Sequence, residues 1–244
     1  MSGMRCNSFI KKKGLLAFKV LVLSTLLSSC SNTGDMEYQP VGETLTNKQI
    51  GQNVTLAILD FPDKRPPVKG FAHSNKLATK PKKNLVGILF GAYNIRIRKL
   101  HSNQAISLDV IEALRNLFRA NGFNVIRYYG NSEVSSLSDE RLVAKGQINK
   151  FWMNGYPGGR GTSPSIEATI DVDLTIIDTK NRRTIWTGKI ENYQKIGPNK
   201  GIFTGTNKIF LFLNTVFSDA IEKAWLEYGM LNAIRRLDKK PFSK

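Results

Sequence analysis

The stretch from residue 166 to 176 constrains this chain more than any other. Ile166, Ala168, Ile170, Val172, Leu174 and Ile176 alternate with Glu167, Thr169, Asp171, Asp173 and Thr175. A repeat of two is the side-chain period of a β-strand, and strict alternation of apolar with polar residues puts one face on a core and the other in water. The sheet that contains it is therefore covered on one side only, which excludes a parallel sheet buried on both faces. Apolar runs flank it at 143–153 and 184–193, separated by a Gly- and Pro-rich loop at 156–164 and a polar turn at 178–183. Three consecutive antiparallel strands follow from that spacing. Gly146 inside the first of them points to a bulge or a close approach.

The remaining pattern supplies the cover. Residues 54–61 and 85–90 are continuous apolar runs of strand length, and 94–98 alternates so that Arg96 and Arg98 share a face. Leu108, Ile111, Leu114, Leu117 and Phe118 recur at helical spacing, with Ser107 as the expected cap and Asn121-Gly122 as the stop. A short strand is expected at 123–129. A second helix over about 207–228 carries Ile209, Phe210, Leu213, Val216, Phe217, Ala220, Ile221, Ala224 and Trp225 on one stripe, with Thr206 as its cap. The expected fold class is α+β: a mostly antiparallel mixed sheet with two main amphipathic helices packed on one face. A hydrophobic content of 41% agrees with a folded domain rather than a disordered chain.

Residues 1–29 stand outside this fold. Arg5, Lys11, Lys12 and Lys13 precede an apolar run at 15–27, interrupted by Lys19, and the run closes on Leu27-Ser28-Ser29-Cys30. That is the layout of a secretory signal. The tetrad resembles the bacterial lipobox, which implies cleavage between Ser29 and Cys30 and lipidation of Cys30. The apolar run is too short to span a bilayer unaided. Two acyl chains on one residue and a third on its amine would anchor the chain without further help. In lipoproteins of this kind an Asp after the cysteine favours inner-membrane retention, so Ser31 favours an outer-membrane anchor facing the periplasm. Residues 30–52, beginning with the lipidated cysteine, then read as a flexible tether, and 53–244 as a single periplasmic domain.

Export reshapes the composition. The formal charge of the full chain is +17. Cleavage before Cys30 removes five cations and no acid, leaving +12, and Cys6 departs with the signal. No free thiol then remains for a disulfide, a metal or a nucleophile, and no cofactor or metal is expected. Half of the remaining excess sits at 62–84, where Lys64, Arg65, Lys69, Lys76, Lys80, Lys82 and Lys83 are opposed only by Asp63 among four prolines. With Arg96 and Arg98, these cations are the candidate surface for an anionic lipid, an envelope polymer or an acidic protein. A solvated loop whose charge only aids solubility is the simpler reading. Nucleic acid is excluded as a physiological partner by export and by the lack of interleaved aromatics.

No catalytic constellation emerges, and the chain is expected not to be an enzyme. Asp171 and Asp173 lie two apart on one strand face, roughly 6.5–7 Å between Cα atoms, a spacing that a divalent-metal hydrolase could use. As members of the wet face of an amphipathic strand they need no such role. His73 falls in the basic loop and His101 before the first helix, where both are expected to be solvated. The glycines at 158–161 and 197–205 lack the spacing of a phosphate loop.

The strand "AILDF", the helix end "RANGFNVI", the strand "LVAKGQINKF", the hairpin "ATIDVDLTIIDTKNRRTIWTGKIENY" and the terminal helix together resemble YajG-type bacterial lipoproteins. More loosely they are similar to envelope lipoproteins with a domain like the N-terminal domain of TolB, among them LpoB-like activators of peptidoglycan synthases and CsgG-like secretion lipoproteins. The resemblance spans residues 54–228, and the basic loop 62–84 has no counterpart in it. It implies a non-catalytic envelope lipoprotein that binds or scaffolds a protein complex, lipopolysaccharide or the peptidoglycan machinery. A subunit of a secretion or flagellar assembly is the alternative.

Overall fold

The computed structural model describes residues 32–36, 50–52, 54–67, 80–90, 96–127, 142–156, 164–197 and 206–238. The signal, Cys30, Lys69, His73 and Lys76 lie outside the described residues. In chain order the elements are β1 (Asn32–Gly34), β2 (Thr55–Ile58), β3 (Leu85–Phe90), β4 (Arg96–Ser102), α1 (Ile106–Ala120), β5 (Asn124–Arg127), β6 (Leu142–Tyr156), β7 (Ser165–Asp178), β8 (Arg183–Ile196), α2 (Thr206–Leu226) and α3 (Met230–Asp238). This is the α+β class that the sequence predicts.

The 15-residue strand β6 organises an eight-stranded mixed sheet. Along one edge it pairs antiparallel with β7, from Leu142 opposite Asp178 to Tyr156 opposite Ser165. Along the other edge its first residues pair parallel with β2 and its last with β3. Just after β2 the chain stays on that edge: Lys64 N–H donates to the carbonyl of Ile148, and Ile148 N–H to that of Pro62. β5 extends β2, while β4 and then β1 extend β3. β7 pairs with β8 on its far side, so β8 is an outer strand with no further partner among the described residues.

β7 alternates along its whole length between buried and half-buried residues, as a one-sided sheet demands. Gly146 marks close packing. A Cβ there would collide with the backbone carbonyl of Asp173 and the Phe61 ring, while the bulge itself falls between Ile148 and Lys150. The buried face of the hairpin meets α2, whose stripe from Ile209 to Trp225 is buried throughout. Phe217 packs edge-on against Phe151 at 5.2 Å between centroids, and Trp225 against Phe118 of α1 at 5.7 Å. Each such side chain removed from water contributes about 1.5–3 kcal/mol. A separate small cluster among the described residues joins Ala57, Leu59 and Val143.

Three local features depart from the expectations. α1 begins at Ile106, not after Ser107, and its N-cap Ala105 offers no side-chain bond. Asp109 in its first turn is held instead by Ser102 and Gln104, each at 2.7 Å. His101 is buried in β4, with Nδ1 3.3 Å from Asn84 Oδ1, because β4 runs on to Ser102 beneath α1. Burial first, then Lys82 and Lys99, lowers its pKa. Finally, Asn32–Gly34, inside the stretch read as tether, pairs parallel with β4, and Gly34 lies against the Phe210 ring where no Cβ would fit.

Candidate binding face

The helices cover one face of the β6–β7–β8 hairpins; on the other, β7 presents half-buried side chains, and strand register sorts the side chains of this face into rows. Opposite partners give Asn154–Glu167–Lys195, then Trp152–Thr169–Tyr193, Lys150–Asp171–Glu191 and Gln147–Asp173–Lys189. Directly opposed residues have Cβ atoms roughly 4.5–5.5 Å apart, so each row is a set of touching neighbours.

These rows are cross-linked by hydrogen bonds. Glu167 accepts from Asn154 Nδ2 at 3.2 Å and from the hydroxyls of Tyr156 and Tyr193, both at 3.4 Å. Trp152 Nε1 donates to Asn154 at 2.9 Å, and Tyr156 stacks on Phe90 with centroids 5.0 Å apart. Burial, followed by the Glu167 charge, raises the Tyr156 pKa, which keeps its hydroxyl a donor. Two rows away, Lys189 Nζ donates to Asp171 at 3.1 Å, and Gln147 donates to Asp173 at 2.9 Å. Hydrogen bonding from Asn149 outweighs burial and lowers the Asp173 pKa.

That geometry bears on Asp171 and Asp173. They share a face as their spacing requires, yet Asp171 is occupied by Lys189 and Asn149 and Asp173 by Gln147. Among the described residues no group of three or more His, Cys, Asp or Glu is arranged to hold a metal. A carboxyl whose pKa is lowered is ionised at neutral pH and carries no proton to give, so Asp173 is unsuited to general-acid work there.

The basic residues do not behave as one set. Lys64, Lys80, Lys82, Lys83 and Arg98 are exposed. Arg65 is not: at 4% exposure its guanidinium donates to both carboxylate oxygens of Asp63 and to the carbonyls of Leu85, Lys82 and Phe151. It ties the start of the loop to β3 and β6. Burial pushes the Asp63 carboxyl up, but the bonds and charge of Arg65 prevail and hold it below its ordinary value. Arg96 begins β4. Beside Arg65 opens a cavity of about 290 Å³ lined by Pro66, Pro67, Pro81, Lys150, Trp152 and Thr169. A second, of about 360 Å³, includes Lys150, Thr169, Asp171, Glu191 and Tyr193. The aromatic and amide members of this face drew no attention in the sequence because β6 and β8 lack the clean alternation of β7, so nothing there placed Trp152 opposite Thr169.

No family model matches the chain, and no curated protein matches it. Solved structures give distant likenesses. A Xanthomonas campestris protein of the DUF330 family is 9% identical, with a TM-score of 0.45, over 85% of this chain and 98% of its own. A Helicobacter pylori protein described as a neuraminyllactose-binding hemagglutinin homolog is 8% identical, with a TM-score of 0.42, over 84% and 98%. The lipoprotein GNA1162 of Neisseria meningitidis is 9% identical, with a TM-score of 0.35, over 70% and 99%. With TM-scores below 0.5, these likenesses carry no argument about what this chain does.

Proposed function

We propose that the chain is a non-catalytic cell-envelope lipoprotein: a periplasmic α+β domain, held by lipid on Cys30 at the outer membrane, that binds or scaffolds other envelope components. The observation that carries the reading is Leu27-Ser28-Ser29-Cys30 at the end of a short apolar run behind a cationic start. Among the described residues no helix is long and apolar enough to cross a membrane. Glu167, Asp171 and Asp173 on the open face are engaged by amides, hydroxyls and lysine, a pattern that suits recognition better than proton transfer. The YajG-type resemblance supports the same envelope setting.

Membrane fractionation of cells expressing the wild type and Cys30→Ala tests it. The wild type is expected in the membrane fraction, resistant to high salt and carbonate, and the variant in the soluble periplasm. Equal membrane retention of both would refute the anchor.

A further inference from the structure

The second edge of β8 pairs with no strand among the described residues. Along such an edge every second residue turns its backbone N–H and C=O away from the sheet, which makes it a template for another strand. The regular part of β8 begins at Trp186, after the register shift opposite Ile176 and Ile177, and runs to Ile196. We infer that this edge joins two copies of the chain, with β8 pairing antiparallel to β8 of the second copy about Ile190. The inference goes beyond the envelope reading and does not depend on lipid at Cys30.

Charge sets the register. A two-fold axis perpendicular to the sheet keeps the faces of both copies aligned, so opposed residues share a face. On the open face β8 presents Thr187, Lys189, Glu191, Tyr193 and Lys195, all exposed. With the axis at Ile190, Lys189 stands opposite Glu191 of the second copy, Glu191 opposite its Lys189, and Thr187 opposite its Tyr193. Moving the axis one residue either way sets Lys189 or Glu191 against its own counterpart, and directly opposed like charges destabilise a sheet. A centre at Tyr193 pairs Glu191 with Lys195 but leaves Trp186 to Lys189 without a partner strand. From Trp186 to Gln194 the pairing about Ile190 forms about eight to ten backbone hydrogen bonds, two for every second residue.

Within one copy the same row is incomplete. Glu191 stands directly opposite Asp171 on β7, carboxylate against carboxylate. The cations around them are committed elsewhere in the row: Lys150 is opposite Asp171 on β6, and Lys189 donates to Asp171 at 3.1 Å. Lys223, which lines the same cavity as Glu191, donates to Asn192 at 3.2 Å, and Lys195 is opposite Glu167. Lys189 of the second copy closes the row on its outer side, giving Lys150, Asp171, Glu191 and then lysine. Exposed aromatic residues gather at the same place. Tyr193 and Tyr228 are 58% and 43% exposed, and both line the cavity that Glu191 borders. Aromatic residues are enriched where protein surfaces meet. On the helix side, Trp186, Asn192 and Gln194 are drawn back by bonds to the Tyr228 carbonyl, the Val216 carbonyl and Asp219.

The test is sedimentation equilibrium of the full-length protein in density-matched detergent over a wide range of concentration. A monomer–dimer equilibrium is expected for the wild type. Lys189→Glu and Glu191→Lys should each weaken it at least about tenfold, by placing like charges opposite one another. An equimolar mixture of the two variants restores opposite charges at both pairs and should associate as the wild type does, whereas Lys195→Glu should change little. Cys30→Ala without detergent should dimerise as the wild type does, so a failed anchor and a failed pairing give different results. Hydrogen exchange gives the same answer without a charge variant: amides at 186–194 should gain protection as concentration rises, and those of β5 should not. A monomer at every concentration, a dimer indifferent to both charge changes or sensitive only to Lys195→Glu, or a mixture that stays monomeric while both variants melt like the wild type, would overturn the inference. Exchange at 186–194 that is independent of concentration would overturn it as well.

Discussion

At the scale of single residues, the structure separates side chains that the sequence lists as equals. Arg65 and Lys64 are neighbouring cations in one basic stretch, yet Arg65 is buried and fully bonded while Lys64 points into solvent. Nothing in composition distinguishes them; the distinction comes from three carbonyls that Arg65 reaches across the fold. Removing one member of a buried ion pair costs about 3–5 kcal/mol because the other charge and its acceptors are stranded. Arg65→Ala is therefore expected to lower the melting temperature by roughly 10 °C, and Lys64→Ala to leave it within about 1 °C, by calorimetry. Asp109 offers a second residue-level test. Burial, only partly opposed by Ser102 and Gln104, raises its pKa to about 6. A carboxyl raised above its unfolded value of about 3.9 supports the fold below that value and loses this support as pH rises toward 6. Between pH 4 and 6 this group should cost roughly 3 kcal/mol, by 1.4 kcal/mol per pKa unit. Urea melts of Asp109→Asn across that window should accordingly show a flatter pH profile than the wild type. An identical profile would show that Asp109 does not titrate with folding in that window. Asp63 and Asp173, with lowered pKa values, act oppositely, withdrawing stability only as pH falls below about 4.

At the scale of elements, legibility tracked the strength of the periodic signal. β7 and the stripe of α2 were readable because alternation and the helical repeat each ran for many residues, and both are buried as their patterns require. β1 was not, since Asn32–Gly34 has no apolar side chain and is held by backbone pairing to β4. α3 escaped because nine residues after Gly229, whose φ is +80°, carry only Met230, Leu231 and Ile234 as a buried face. The candidate face was hidden for a related reason. Trp152, Glu167 and Tyr193 come from three strands, and only their register brings them together. The hairpin and α2 should also be mutually dependent. Phe217→Ala would leave a cavity against Phe151 and cost about 3–5 kcal/mol. Truncating exposed Leu211 on the same helix should cost under about 1 kcal/mol, and equal losses in thermal melts would contradict the packing.

At the scale of the whole molecule, the positive charge resolves into parts with different consequences. Five cations belong to the expected export signal, and a cluster of exposed lysines borders β3 at Lys80, Lys82 and Lys83. The open sheet face is different in kind, with Trp152, Tyr156 and Tyr193 set among interleaved carboxylates, amides and lysines. The lipid anchor proposed at Cys30 and the open sheet face together fit the proposed reading of a tethered binding module. Mass spectrometry of the amino-terminal peptide of protein purified from membranes reads the proposed lipid on Cys30 directly. The mature chain is expected to begin at Cys30 and to carry a diacylglyceryl group with an acylated amine. A mature chain that begins elsewhere, or an unmodified Cys30, would contradict it.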